Sequence, residues 1–443
     1  MEECDVLVIG GGPALRECIR TCRLMSPEVR LGAIRLDKVM INHCAMPYAL
    51  AKRTTLEEVI APDTLVTRWD AKLFVDEARQ IDPREKVVKC GNGSLKYKRL
   101  ILAMGSDPIR PPIPGMNLDN ILTLRHLDDI KKLEGLLDLP QTRNVVIVGG
   151  GYIGVEFAYV IKERANHNVT IIELLEHLLE ASLDDEFCTV AEEELRRNGI
   201  NLHTGSRVTE FKGKEKVERV LFDGKEIPAD VVVLAIGVQP TVNLALNADI
   251  KGDRQGIEVN QYFRTSVEDI YAIGDVIKMV SPVTSDYFPG RLGSNAALEA
   301  RILATNLFNG ERAFPGVVNP AGTKVFDTSF GMVGLTERYA RQRGIRYLTG
   351  RAKTTNIYKM LKGARPTEGK LIFREDDLTV IGAQFYGDVN IVGPVDLMGQ
   401  AILRKFTLYD VLGLIHTTQP ELSPEPALNV LPKCAEDLWQ RIK

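Results

Sequence analysis

Residues 144–173 read NVVIVGGGYIGVEFAYVIKERANHNVTIIE, and they give the clearest indication of the fold class. An apolar run leads into three glycines, a helical segment and a second apolar run that ends in an acid. Runs of this kind are typical of parallel strands covered on both faces. A strand, a glycine turn and a helix in this order bind a dinucleotide, because the helix N-terminus faces the pyrophosphate.

The glycines of this turn have separate roles. Gly149 makes the turn, Gly151 lets the backbone approach the pyrophosphate, and Gly154 lets helix and strand pack closely. Glu173 follows the second strand, where a ribose 2′-hydroxyl is bound, and an acid there repels a 2′-phosphate. We therefore predict NAD(H) binding with NADH preferred over NADPH, rather than a purely structural turn. The predicted NAD(H)-binding residues are Gly149, Gly151, Tyr152, Ile153, Gly154, Glu156, Glu173 and Gly237.

A second, altered copy of the motif lies at residues 4–25, CDVLVIGGGPALRECIRTCRLM. Gly10 and Gly12 are present, but Leu15 occupies the third glycine position. A leucine at this helix–strand contact costs about 1–3 kcal/mol unless the helix shifts. The next strand ends at Arg35 without an acid, and Arg35 either contacts the adenosine end of a nucleotide or is a solvated arginine.

Length and composition limit the class of protein. The chain has 443 residues, which suggests two to four domains, and a formal net charge of −3. That balance does not favour a nucleic-acid partner, and no apolar run reaches the roughly 18 residues of a membrane span. Seven cysteines without a disulfide spacing, and no signal peptide, predict a cytoplasmic protein.

Further motifs extend the pattern. Residues 99–105 and 230–237 each read as an apolar strand that ends in a glycine, and residues 107–115 carry four prolines, which predicts a crossover without an element. Asp223–Gly224 predicts a hairpin. After residue 322, β-branched segments and a helix near residues 394–405 indicate an α+β domain.

The order of these motifs resembles the pyridine nucleotide–disulfide oxidoreductases, over nearly the whole chain. Residues 101–106 (ILAMGS) and 112–115 (PIPG) are similar to the family's link segment, and TSVEDIYAIGD, residues 265–275, closely resembles its second FAD motif. The resemblance implies that Asp275 binds the ribitol chain of FAD and that the helix near residues 293–301 faces the isoalloxazine. The residues expected to bind FAD are Gly10, Gly12, Pro13, Ala14, Arg35, Asn42, Gly105, Gly274, Asp275, Asn295 and Ala296.

A single cysteine replaces the paired cysteines of most family members. The stretch NHCAMPY, residues 42–48, resembles the single-cysteine branch, which includes coenzyme A disulfide reductases, NADH oxidases and NAD(P)H sulfur reductases. The resemblance implies that Cys44 is catalytic, and a helix start at Cys44 with help from His43 would favour its thiolate. Cys18 and Cys22 are predicted to be core residues, and the histidines show no metal-ligand spacing.

Three functions are open at this point. The first is transfer of electrons from NADH through FAD to a disulfide, persulfide or polysulfide at Cys44. The second is an electron-transfer subunit that exchanges electrons with a ferredoxin-like iron–sulfur protein. The third is a non-enzymatic NAD-binding scaffold with a decayed flavin site, as Leu15 would suggest.

The predicted fold class is α/β, with two Rossmann-type dinucleotide-binding domains and a C-terminal α+β dimerisation domain. The predicted boundaries are residues 1–111 and 245–320 for FAD, 112–244 for NAD(H), and 321–443 for an interface domain that implies a homodimer.

Overall fold

A computed structural model of the protein describes residues 2–165 and 167–443, and the chain forms two compact units. The first unit comprises Met1–Ile109, Arg125–Leu127 and Val238–Val317. The second unit comprises Arg110–Leu124, Asp128–Gly237 and Val318–Lys443. The segments predicted for NAD(H) binding and for the interface thus share one unit, and the three-domain division stays a prediction.

A seven-stranded sheet forms the centre of the first unit. Residues 6–9 of the strand Glu2–Gly10 are buried, as expected for a parallel strand covered on both faces. Five strands are parallel, and they lie in the order Ala71–Val75, Leu31–Arg35, Glu2–Gly10, Gly93–Ala103 and Ile270–Ala272. Two antiparallel strands, Val87–Cys90 and Ala78–Asp82, extend the other half of Gly93–Ala103.

Two long helices of the first unit pack against each other. They are Pro13–Met25, called here the first helix, and Gly293–Asn309, called here the flavin helix. The first helix buries one stripe of its surface, including Leu15, Cys18 and Cys22. The shorter helices are Met46–Leu50, Leu56–Val59, Thr64–Thr67 and Asn243–Leu246, with 3₁₀ turns at His43–Ala45 and Gly274–Val276. Short strand pairs are Met40–Ile41 with Ile60–Ala61, and Gly252–Asp253 with Gly256–Ile257.

The second unit begins with a five-stranded parallel sheet. Its order is Ile121–Leu122, Val231–Leu234, Asn144–Val148, Asn168–Ile172 and Asn201–His203. The helices are Leu127–Leu137, Tyr152–Arg164 and Asp185–Arg197. An antiparallel sheet of Val208–Lys212, Arg219–Phe222 and Lys225–Pro228 packs on one face, where apolar side chains from both sheets form a core.

The C-terminal part of the second unit is an antiparallel sheet with helices. The strands lie in the order Ala321–Val325, Thr328–Gly334, Val380–Gly387, Pro366–Arg374 and Tyr347–Thr355. The helices are Glu337–Gln342, Val392–Leu403, Leu408–Leu412 and Val430–Ile442, with 3₁₀ turns at Val389–Ile391 and Pro426–Leu428. The predicted fold class, with two parallel α/β sheets and a C-terminal α+β part, is confirmed.

Local predictions have mixed outcomes. Asp223 and Gly224 both have positive φ (47° and 74°), as the tight turn of the predicted hairpin requires. The predicted absence of any element in residues 107–115 is wrong at its start, because Ser106–Pro108 pairs with Val238–Pro240. Prolines exclude a central strand but tolerate a short edge pair like this one.

Candidate functional site: two glycine turns and a cysteine turn

The glycine turn of the second unit leaves room where a pyrophosphate would approach. A Cβ atom built on Gly149 would lie 2.4 Å from the Ala235 carbonyl oxygen, so the turn tolerates no side chain there. A Cβ atom on Gly154 would lie 2.0 Å from the Gly149 oxygen, since the helix packs directly on the turn. A Cβ atom on Gly151 would meet nothing within 4 Å, and this open space faces the start of the helix.

The turn of the first unit has the same layout. A Cβ atom on Gly10 would lie 2.2 Å from the Ala103 carbonyl oxygen, and a Cβ atom on Gly12 would meet nothing within 4 Å. Open space therefore lies beside Gly12 in the first turn and beside Gly151 in the second. The residues of the first turn fit a dinucleotide pyrophosphate in the same way as those of the second.

Leu15, at the third glycine position of the first turn, lies in the core of the first unit. Its side chain is fully buried. The first helical hydrogen bond, from the Arg16 amide to the Gly12 oxygen, measures 3.4 Å, against 3.0 Å from the Val155 amide to the Gly151 oxygen in the other turn. The first hydrogen bond of the helix is thus longer in the turn where leucine replaces glycine. A weakened hold on FAD stays a prediction.

Three segments predicted to bind FAD converge in the first unit. A Cβ atom on Gly274 would lie 3.5 Å from the Ala296 Cβ atom and 3.7 Å from the Ala14 Cβ atom. A Cβ atom on Gly293 would lie 3.5 Å from the Cγ atom of Pro13. The first helix, the Gly274 turn and the flavin helix therefore begin beside one another, although they come from opposite ends of the unit's sequence.

Asp275 lies partly buried at this point. Its carboxylate accepts a 2.8 Å hydrogen bond from the Ser106 hydroxyl, which places Gly105 next to the same site. Burial raises the pKa of Asp275, while the Ser106 hydroxyl and the guanidinium groups of Arg291 and Arg125 oppose that rise. A carboxylate held in this way can accept hydrogen bonds from sugar hydroxyls.

Glu299 is a buried acid that the sequence analysis did not single out. Its side chain is 0% exposed, and one oxygen accepts a 2.6 Å hydrogen bond from the Gly274 amide. Burial is the main reason that its pKa rises to about 8. An acid among the mostly apolar residues of this helix face was a visible signal in the sequence. The neighbouring Asn295 donates to the Gly290 carbonyl oxygen at 2.8 Å.

Arg35 is neither solvated nor directed into open space. It is 1% exposed, and its guanidinium donates to the carbonyl oxygens of Asp37 and Lys38 and to the Asp63 carboxylate. A Cβ atom on Gly11 would lie 3.2 Å from the Cγ atom of Arg35, so its stem lies under the first glycine turn. The solvated alternative is wrong, and a contact of Arg35 with adenosine stays a prediction.

The acids predicted for the NAD(H) site lie close to the second turn or are half-buried. Glu173 is 9% exposed, contacts the Gly150 amide, and accepts a 2.8 Å hydrogen bond from the Leu175 amide. Glu156 accepts a 3.1 Å hydrogen bond from the Thr323 hydroxyl, and burial raises its pKa. Glu156 is therefore not a solvated helix acid. Of the remaining residues, Tyr152 and Ile153 begin the helix, and Gly237 has a φ of 100° after its strand.

Cys44 lies in the first unit on the 3₁₀ turn His43–Ala45, and it is exposed. The helix that follows, Met46–Leu50, has five residues, so the predicted activation by a helix start has a weak physical basis. Asn42 is exposed and precedes the turn, and its carbonyl oxygen accepts from the Ala45 amide.

His43 does not supply the positive charge that would help to stabilise the Cys44 thiolate. Its pKa falls to about 4, because burial and the nearby Arg125 disfavour the imidazolium. The cation at this turn is Arg125, which contacts the His43 ring. Arg125 lies 82 residues from His43, and no motif in the sequence signals that the two meet.

The described residues, 2–165 and 167–443, show neither a candidate metal cluster nor a candidate membrane-spanning helix. They contain no group of three or more His, Cys, Asp or Glu side chains that could hold a metal ion. Within the same described ranges, no helix is long and apolar enough to cross a membrane.

The fold and the two turns define a protein built to bind two dinucleotides. Residues 4–294 match the pyridine nucleotide-disulphide oxidoreductase family, and residues 320–427 match the dimerisation domain of the same family. The chain belongs to this family. The predictions of an enzyme, of an oxidoreductase, and of FAD and NAD(H) as cofactors are confirmed at the level of the family.

Three similar proteins span nearly the whole chain. An NADH oxidase of Methanocaldococcus jannaschii is 29% identical over 94% of this chain and 95% of its own length. An NAD(P)H coenzyme A polysulfide/persulfide reductase of Pyrococcus horikoshii is 28% identical over 95% of each chain. The solved structure of an NAD-dependent persulfide reductase from A. fulgidus has a TM-score of 0.94 and 28% identity, over 99% of this chain and 83% of its own.

Proposed function

We propose that the protein transfers electrons from NADH, by way of bound FAD, to a sulfur substrate that reacts at Cys44. The main support for this proposal is that Cys44 is exposed. All seven cysteines lie in the described ranges, and Cys44 is the exposed one, whereas Cys90 is half-buried and the other five are buried. Two similar proteins, from P. horikoshii and A. fulgidus, are named as persulfide or polysulfide reductases.

The chemistry of the cysteine turn supports a thiol exchange. The Cys44 thiolate attacks one sulfur of a disulfide or polysulfide, the S–S bond breaks, and the other sulfur leaves with the electron pair. Two electrons and one proton then cleave the mixed disulfide, which regenerates the thiolate and releases a thiol. Bound FAD supplies the two-electron transfer between NADH and this disulfide.

The geometry of the two glycine turns and of the Gly274 turn suggests which residues hold the cofactors. Gly12, Gly274 and Asp275 would hold the pyrophosphate and sugar chain of FAD, and Gly151 and Glu173 would hold NADH. We further propose that the protein is a homodimer through the domain at residues 320–427, as the family match of that domain suggests, and that it acts in the cytoplasm, since none of its cysteines forms a disulfide.

An electron-transfer role with a ferredoxin-like partner is the second candidate. The short helix after Cys44 and the neutral His43 favour it, because they offer the thiolate less help than the sequence analysis expects. In this case Cys44 would be dispensable for turnover.

An anaerobic NADH titration of the flavin-loaded protein, together with a Cys44→Ser variant, separates these functions. Two equivalents of NADH per flavin, falling to one in the variant, and loss of polysulfide-dependent NADH oxidation would support the thiol reductase. Cys90→Ser is the matched control and should behave like the wild type. Full polysulfide turnover in the Cys44→Ser variant would rule out the proposed role of Cys44, and carrier proteins would then be the acceptors to test.

A further inference from the structure

Arg125 and His43 contact each other beside the proposed reacting thiol, within the first unit. The Nε2 atom of His43 lies 3.1 Å from the Arg125 carbonyl oxygen and also contacts the Arg125 guanidinium. This nitrogen donates to the carbonyl oxygen in one tautomer and accepts from the guanidinium in the other. Either bond attaches the turn His43–Ala45 to Arg125.

The positive charge beside the turn His43–Ala45 is on the guanidinium of Arg125 and not on the His43 ring. The pKa of His43 is about 4, because burial and repulsion from the Arg125 guanidinium outweigh the hydrogen bond to the Arg125 carbonyl oxygen and the nearby Asp37, and His126 adds a smaller repulsion. Asp37 lies 3.3 Å from the Nδ1 atom of His126. At neutral pH the imidazole is therefore neutral, while an arginine keeps its charge at any working pH.

Arg125 also acts on the predicted flavin site. Its guanidinium is one of two that hold down the pKa of Asp275 against burial, and Arg291 is the other. Arg291 has partners of its own, since it donates to the Val238 carbonyl oxygen at 2.8 Å and to the Tyr287 hydroxyl at 3.1 Å. The cation that contacts the cysteine turn is thus electrostatically close to the predicted flavin site.

We propose that Arg125 is a positioning residue for Cys44: it braces the turn His43–Ala45 through His43 and sets a fixed positive charge there that favours anionic sulfur substrates over neutral ones. The inference rests on the proposed function, in which Cys44 is the reacting thiol. Persulfide and polysulfide anions belong to the favoured class of substrate.

The expected selectivity is modest. The guanidinium contacts the residue next to Cys44, and we take a separation of roughly 9 Å between its charge and an incoming anion. At an effective dielectric constant of about 60, removal of one such charge changes the preference for an anionic over a neutral reagent by about threefold. The effect should shrink as salt rises, because the Debye length is about 8 Å at 0.15 M.

The test measures alkylation of Cys44 in the NADH-reduced, flavin-loaded protein. Iodoacetate is the anionic probe and iodoacetamide is the neutral one, and mass spectrometry of the tryptic peptide 39–52 reads each rate on Cys44 alone. We expect the iodoacetate-to-iodoacetamide rate ratio to fall about threefold in Arg125→Met and to be kept in Arg125→Lys. Arg79→Met is the control, because Arg79 is exposed on an edge strand and pairs with Glu77.

An unchanged ratio in Arg125→Met would overturn the proposal. If both reagents also slow equally, Arg125 alters only the amount of thiolate. If Arg125→Met loses its flavin spectrum, Arg125→Gln provides the same test with hydrogen-bond donors but no charge. Failure of the proposed function is seen separately, as full polysulfide turnover in Cys44→Ser, since alkylation needs no turnover.

Discussion

Replacement of Lys370 by methionine should strongly destabilise the second unit. Lys370 is 0% exposed, and its ammonium group lies 2.5 Å from Asp184, 2.7 Å from Glu186 and 2.8 Å from Glu337. Asp184 also accepts a 2.6 Å hydrogen bond from the Gln384 amide. The lysine therefore neutralises three acids from two segments of this unit, the starts of the helices Asp185–Arg197 and Glu337–Gln342.

The size of the expected destabilisation follows from the burial of these acids. The side chains of Asp184 and Glu337 are 6% and 16% exposed, so methionine would leave them buried near each other without their cation. Breaking a buried pair in this way costs about 3–5 kcal/mol. Glu186 is 35% exposed and adds little, because water screens it. We expect a loss of about 3–4 kcal/mol in the free energy of unfolding of the second unit.

Urea unfolding followed by fluorescence measures this loss. Trp439 lies in the second unit and Trp69 in the first, so a Trp69→Phe background makes the emission report the second unit. Lys353→Met is the matched control, since Lys353 is 78% exposed and pairs with Glu368, and it should change stability by less than about 0.5 kcal/mol. A loss below about 1 kcal/mol in Lys370→Met would refute the reasoning, because the acids would then be solvated or protonated without the lysine.

Two further predictions concern buried or partly buried acids. Glu299→Gln should flatten the pH dependence of the unfolding midpoint: the pKa of Glu299 is raised to about 8, so the contribution of this acid to stability is fully present below pH about 4.5 and falls by a few kcal/mol as pH rises to 8. Parallel midpoint-against-pH curves for the two proteins would contradict this. Glu173→Ser should raise the kcat/KM ratio of NADPH to NADH by about tenfold, because the carboxylate that repels a 2′-phosphate is removed. Steady-state kinetics with both nucleotides decides it, and an unchanged ratio would show that Glu173 does not face the 2′ position.

The parts of the fold that depend on nearby residues could be predicted from the sequence. The strands before Gly10 and Gly149 are continuous apolar runs, and glycine is required after them because a Cβ atom there would lie only 2.2 and 2.4 Å from a backbone carbonyl oxygen. The hairpin at Asp223–Gly224 is equally local, because two residues with positive φ select a tight turn. Such features need only a few consecutive residues, so periodicity and turn chemistry suffice to find them.

The two glycine turns, the fold class, the family and Cys44 as the cysteine to examine could thus be predicted without the structure, while the exposure of Cys44 could not. The tertiary structure alone decided the surroundings of that cysteine and of the acids: Arg125 on His43, Ser106 on Asp275, and Lys370 among three carboxylates. These partners lie 33 to 186 residues apart along the chain, so no local pattern brings them together. Whether a charged group keeps its charge depends on burial and on such neighbours, and one linear sequence shows neither.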